Sequence, residues 1–166
     1  MSTAMEAMYQ EVILDHAKHP EGRGLVAPIP GNATGESHQV NPTCGDEVTL
    51  RVEVTGDGAD GIIARVSWEG QGCSISQAST SVLTGLVTGQ SLTVVGQMSD
   101  AFSDLMASRG KGLDDDACED LLGDAAAFTG VSRYPARIKC ALLGWAALRD
   151  ALVRSGVTPL NLHNKG

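Results

Sequence analysis

Asn41-Pro42-Thr43-Cys44-Gly45-Asp46 runs directly into Glu47-Val48-Thr49-Leu50-Arg51-Val52-Glu53-Val54, and this stretch decides how the chain folds. Its second half alternates strictly. Val48, Leu50, Val52 and Val54 point one way, while Glu47, Thr49, Arg51 and Glu53 point the other, the period of a half-buried strand. Its first half is a Pro/Gly turn that carries a thiol and a carboxylate two residues apart. Gly56-Asp57-Gly58-Ala59-Asp60-Gly61 then reads as a turn. Residues 62–69 alternate again, with Ile62, Ala64, Val66 and Trp68 set against Ile63, Arg65, Ser67 and Glu69. Together the two runs predict an antiparallel hairpin, with residues 38–40 as a short edge strand.

Upstream, residues 5–18 read as an amphipathic helix with Met5, Met8, Tyr9, Val12, Ile13 and His16 on one face, stopped by Pro20. His16 on that stripe reads as a packed imidazole rather than a ligand. Residues 19–37 read as a loop rich in Gly, Pro and polar residues. Downstream, Gly70 to Gly72 break the second strand. A helix follows over residues 74–88, with Ile75, Ala78, Val82, Leu83 and Leu86 inward and Gly89 as its stop. Its hydroxyls, Ser74, Ser76, Ser79, Thr80 and Ser81, read as a cap and a solvated face. This start also places Cys73 at a helix N-terminus, where the macrodipole lowers a thiol pKa.

Residues 98–108 read as helical through Met98, Ala101, Phe102, Leu105 and Met106. Asp114-Asp115-Asp116 reads as a solvated acidic run that opens a helix through Leu122. The last long helix begins at Pro135 and runs to about Ser155, ended by Gly156. Its apolar stripe is Ile138, Ala141, Leu142, Trp145, Leu148 and Leu152. Arg137, Cys140 and Gly144 fall on a neighbouring face.

Composition narrows the function classes. The chain has 166 residues, 42% hydrophobic and 19% charged, enough for one domain with a core and unlike a disordered segment. A net charge of −8 repels phosphate backbones, and 4% aromatic residues are too few for a base-stacking surface, so nucleic acid is not an expected partner. No apolar run approaches the roughly 20 residues that span a bilayer, so no membrane role is expected either. Residues 1–10 lack the basic and apolar segments of a signal peptide, and the chain reads as cytoplasmic. In a reducing compartment its four cysteines read as ligands or reactive thiols rather than as disulfides.

Three of those cysteines stand in unusual settings: Cys44 with Asp46 in the turn, Cys73 after Gly70-Gln71-Gly72, and Cys140 after Arg137-Ile138-Lys139. Gly45 permits the tight turn that lets Cys44 and Asp46 share one ion. Cys44, Asp46, Cys73 and Cys140 are therefore candidate ligands of one metal, with zinc the natural choice for such a set. The competing reading is that free cysteines are small, buried and inert. Three thiolates and one carboxylate around a dication leave a net −2 site, which favours nearby cations such as Arg137 and Lys139. The hard carboxylate makes the set more exchangeable than four thiolates. Cys118, behind the acidic run, reads as structural.

Three motifs in order resemble a known family. Asn-Pro-x-Cys-Gly-Asp, Gly-x-Gly-Cys-x-Ile-Ser-x-Ala-Ser and Arg-x-Lys-Cys-Ala-x-Leu-x-Trp look like the IscU/NifU-N superfamily of iron–sulfur assembly proteins, over nearly the whole chain. Lys139 stands where IscU scaffolds have histidine, and a segment at about residues 110–130 fits the insertion of the SufU branch. The resemblance implies an α+β fold, with a small three-stranded antiparallel sheet packed on several helices, as a single domain over residues 1–166. It implies Zn²⁺ on Cys44, Asp46, Cys73 and Cys140. It implies a sulfurtransferase that takes persulfide sulfur onto Cys44 from a PLP-dependent cysteine desulfurase of the SufS type, whose histidine replaces Cys44 on the metal. The sulfur then passes to a SufBCD-type complex, and Arg137 helps engage the desulfurase. The alternative within the family is a scaffold that assembles a transient Fe–S cluster on the same ligands. Outside it stands a purely structural zinc site in an interaction domain.

Overall fold

A computed structural model describes residues 3–56 and 61–157. The elements are α1 (Thr3–Lys18), β1 (Ala33–Asn41), β2 (Asp46–Thr55), β3 (Ile62–Gln71), α2 (Ser74–Val87), α3 (Leu92–Met106), α4 (Asp116–Leu122), a 3-10 segment (Gly123–Arg133) and α5 (Pro135–Arg154). The three strands form one antiparallel sheet in the order β1-β2-β3. This is the α+β arrangement expected from the sequence.

The apolar face of β2 decides the packing. Val48, Leu50, Val52 and Val54 are all buried, as their alternation requires. α5 lies across β1 and β2 on that face, and α2 packs between α5 and α1. The approach is close enough to exclude side chains at two points. A Cβ at Gly35 of β1 would meet the Ala151 backbone and sit 2.7 Å from the Ser155 nitrogen, and one at Gly144 of α5 would sit 2.5 Å from Thr80 Oγ1. Phe102 of α3 stacks on Trp145 at 5.0 Å and meets Phe128 edge-on at 5.9 Å, closing the far side of the core.

The other face of the sheet is polar and is covered by residues 23–32. Arg51 Nη1 donates to the Val26 carbonyl at 2.7 Å and Arg65 Nη2 to the Ala27 carbonyl at 2.8 Å. The Ile29 N–H donates to Glu53 Oε1 at 2.8 Å, and Arg65 Nε pairs with Glu53 Oε2 at 2.6 Å. Glu53 is thus buried but fully engaged.

Several expectations need correction. The edge strand is not confined to residues 38–40: β1 begins at Ala33. Its residues are mostly polar, and it is held by backbone pairing to β2 and by the bare contact of Gly35 with α5, neither of which leaves an apolar alternation to read. In β3 the predicted facing fails at its start. A register shift beside Glu53 and Val54 pairs Val54 with Ile63 and Glu53 with Arg65, so Ile63 is buried while Ile62 and Ala64 are exposed. The turn expected over residues 56–61 lies largely outside the described residues; Gly56 enters it with φ +84°. α3 starts at Leu92, capped by Ser91, whose side chain accepts from the Val94 N–H.

The hydroxyl face of α2 is not solvated either. Ser76, Ser79, Thr80, Ser81 and Thr84 are buried. Thr80 and Thr84 donate to the carbonyls of Ser76 and Thr80, and Ser79 donates to the Ala141 carbonyl at 2.6 Å. Small hydroxyls let α2 sit in the middle of the helical layer without orphaned side-chain polar atoms. α1 buries only part of its stripe: Ile13 is buried, whereas Met5 and Met8 are exposed. His16 is a packed imidazole, 2.8 Å from Ser81 Oγ. Among the described residues no helix is long and apolar enough to cross a membrane.

Candidate metal centre

Residues 42–45 form the loop of the β1–β2 hairpin, since Asn41 pairs with Asp46 across it. The Asn41 carbonyl accepts from both the Cys44 and the Gly45 N–H, at 3.3 and 2.9 Å. Gly45 has φ +72°, a left-handed conformation that glycine adopts at little cost. This turn leaves Cys44 exposed at the tip and brings Asp46, the first residue of β2, wholly into the interior.

Asp46 meets the start of α2. Its Oδ1 accepts from the Cys73 N–H at 2.9 Å, and Cys73 is the N-cap residue of that helix. The carboxylate therefore supplies a cap from outside the helix, at the end where its macrodipole favours negative charge. Gly72, with φ +147°, is what allows the approach: a Cβ there would run into the carboxylate, 2.8 Å from its Cγ. Cys73 thus lies at a helix N-terminus, as its sequence setting suggests.

α5 delivers the third side. Cys140, in the second turn, is completely buried. The face it shares with Gly144 is covered because α5 is wedged between the sheet and α2. Its Sγ lies 3.5 Å from Cys44 Sγ, 3.7 Å from the Ala136 carbonyl and 3.9 Å from Asn41 Nδ2. Ligand atoms of Cys44, Asp46 and Cys140 all fall within 4.8 Å of one another. Cys73 stands beside this trio, its Sγ 3.9 Å from Asp46 Oδ2. The four residues singled out in the sequence are therefore neighbours in space, although they span nearly a hundred positions.

The spacing and the charge both suit a dication. Two sulfurs at the corners of a tetrahedron with 2.3 Å arms stand about 3.8 Å apart, close to the 3.5 Å between Cys44 and Cys140. Asp46 is a fully buried carboxylate, yet among the described residues no Lys, Arg or His pairs with it. A buried carboxylate without a counter-charge is costly. Burial also pushes the Cys140 thiol well above its usual range, and hydrogen bonds to Asp46, Cys44 and Cys73 push it further. A divalent cation answers both problems, since it neutralises the carboxylate and deprotonates coordinating thiols.

Supporting residues that the sequence does not advertise hold the Cys73 arm. Arg23 Nη2 donates to the Gly70 carbonyl at 3.1 Å, its Nη1 to Gln77 Oε1 at 2.9 Å, and Gln77 Nε2 to the Gly72 carbonyl at 3.1 Å. Arg23 also stands 5.8 Å over the Trp68 ring. The only signal available for these roles was the glycine pair itself, whose exposed carbonyls need donors. Arg137 is exposed and does not pair with Asp46; it lines a groove of about 590 Å³ with Tyr9, Ile13, Cys73, Ile75 and Tyr134. Lys139 is exposed as well. Cys118 is half-buried on α4 and packs against the core.

Comparison with known proteins converges on one lineage. The chain is 39% identical over 150 residues to the zinc-dependent sulfurtransferase SufU of Bacillus subtilis (strain 168), covering 90% of this chain and 92% of that protein. It is 36% identical over 149 residues to the iron–sulfur cluster assembly scaffold protein IscU of Streptococcus pyogenes serotype M1, covering 89% and 84%. A solved SUF-system protein of Fervidobacterium islandicum AW-1 superposes with a TM-score of 0.69 at 33% identity, covering 89% of this chain and 98% of the other. The model of the NifU-like N-terminal domain matches residues 8–141, so the chain belongs to the NifU-like N-terminal domain family.

Proposed function

We propose that this chain is a zinc-dependent sulfur-transfer protein of iron–sulfur cluster biogenesis, with Cys44 as the sulfur acceptor. The observation that carries the reading is the unequal exposure of neighbouring thiols: Cys44 is exposed at a hairpin tip, while Cys140, 3.5 Å away, is completely buried. A donor protein reaches the first and not the second. Cys44, Asp46, Cys73 and Cys140 would hold the zinc, which when bound keeps the thiols deprotonated.

The Cys44 thiolate attacks the outer sulfur of a persulfide on the donor. A new S–S bond forms on Cys44 as the donor's S–S bond breaks, and the donor cysteine leaves as a thiolate. No net oxidation occurs, and one proton stays on the transferred sulfur. The donor that fits is a PLP-dependent cysteine desulfurase of the SufS type, and the onward recipient a SufBCD-type assembly complex. Arg137 and Tyr134 line the groove beside Cys73 and are the donor contacts in this reading. Free thiols with this job require a reducing compartment, which the cytoplasm provides.

The test mixes the purified protein with such a desulfurase, cysteine and a reductant, and follows sulfide release. Cys44→Ala should abolish the gain in desulfurase turnover, and full retention of the gain would overturn the reading. Arg137→Ala should raise the concentration needed for half-maximal gain at unchanged zinc content. A second reading, an Fe–S assembly scaffold on the same ligands, is favoured by the likeness to an IscU scaffold protein. Lys139 in place of the family's histidine speaks against it. A colourless protein with one tightly bound zinc excludes the scaffold, and a visible cluster absorption band supports it.

A further inference from the structure

Asn41 is the last residue of β1 and is buried, with 6% of its surface exposed. A buried carboxamide is costly unless its hydrogen-bonding groups are used. Its Nδ2 is directed to Cys140 Sγ at 3.9 Å. Its own backbone carbonyl receives the Cys44 and Gly45 N–H groups, so it also anchors the turn that presents Cys44. Pro42, which follows, restricts Asn41 to extended backbone. One residue therefore touches the exposed sulfur's loop through its main chain and the buried sulfur through its side chain.

We propose that Asn41 is a positioning residue of the metal centre: its carboxamide fixes the buried Cys140 sulfur as the anchored ligand and so leaves Cys44 as the sulfur that is released for transfer. This rests on the sulfur-acceptor reading of Cys44. An N–H donated to a thiolate is charge-assisted and withdraws electron density from the sulfur, making it a poorer nucleophile and a more persistent ligand. Complete burial shields Cys140 further. Cys44 faces solvent at the hairpin tip, so the two sulfurs are held unequally before any partner arrives.

The experiment labels the zinc-loaded full chain with limiting iodoacetamide and follows the rate at each of the four cysteines by peptide mass spectrometry. In the unaltered protein Cys44 should label first and Cys140 last. Asn41→Leu keeps the size and the backbone carbonyl but removes the donor. It should raise the Cys140 rate relative to Cys118 about tenfold, the fold-change that loss of one net hydrogen bond of ~1.4 kcal/mol produces. General loosening would raise both rates together and leave the ratio unmoved. Asn41→Ser, too short to reach the sulfur, should give the same shift and covers the case in which leucine prevents folding. An unchanged Cys140-to-Cys118 ratio in the folded variant overturns the role of Asn41. If instead Cys44 is not the first cysteine labelled in the unaltered protein, the acceptor reading itself fails.

Discussion

Cys44 and Asp46 are two residues apart and live in opposite surroundings. The turn between them puts one in solvent and the other at zero exposure. The cap and the proposed ligand role of Asp46 are separable. Its Oδ1 accepts the Cys73 N–H and so caps α2, a contact that needs only an oxygen. The proposed ligand role needs its negative charge as well, because a carboxylate is a far better ligand for a dication than a carboxamide. Asp46→Asn separates the duties, since asparagine keeps an acceptor oxygen and loses the charge. The variant should keep its helical circular dichroism. It should hold zinc at least as poorly as the roughly 10- to 100-fold loss that follows removal of an outer-shell partner, measured by competition with a chromogenic chelator. Unchanged retention would mean that Asp46 is a cap and not a ligand.

At the scale of elements, the site exists because a hairpin tip, a strand-to-helix junction and the early turns of α5 end at one place. The junction is the most exacting of these. Arg23 and Gln77 grip the carbonyls of Gly70 and Gly72, and Gly72 lets the Asp46 carboxylate lie against the main chain. Gly72→Ala should therefore cost about 1–3 kcal/mol through steric overlap, read from urea unfolding. It should weaken zinc retention as well, because the carboxylate must move to make room. A variant that loses stability but keeps its zinc affinity would show that the close approach serves packing alone.

The same elements show what could be read in advance. β2 was legible because one of its faces is dry, and three cysteines were legible because Asp46, Gly72 and the Arg137/Lys139 pair beside them are neighbours that a core cysteine does not need. β1 was not, since its residues are polar and its place comes from Gly35 lying bare against α5. The hydroxyls of α2 misled for a related reason. Sequence cannot tell a serine that faces water from one that donates to a carbonyl one turn back or across to α5. Nor could spacing rank the thiols, because exposure at Cys44 and burial at Cys140 depend on how a four-residue loop meets a helix nearly a hundred positions away.

At the scale of the whole molecule, the sheet that presents the hairpin is braced from behind by residues 23–32, and Glu53 is the main post of that brace. Burial by itself would raise its pKa, but the hydrogen bond from Arg65, the Ile29 N–H, the Asn32 amide and the Arg65 charge outweigh burial and hold it below the usual glutamate value. The sign of the pH dependence follows. A carboxyl group whose folded pKa is depressed binds fewer protons folded than unfolded. Its contribution to stability is full above the ordinary glutamate range and is lost as pH falls through the depressed folded value. Glu53→Gln removes the charge at every pH while keeping the shape. In urea unfolding the variant should be less stable than the unaltered protein at neutral pH, by about 3 kcal/mol, since Arg65 loses the carboxylate that compensates its half-buried guanidinium. The gap should hold down to the ordinary carboxylate range and close in stronger acid, where protonated Glu53 resembles glutamine. A gap that stays constant through that range would show that the loss does not come from the titrating charge of Glu53. Its closure would tie the acid sensitivity of the sheet, and of the hairpin that carries Cys44 and Asp46, to one buried ion pair on the side away from the metal centre.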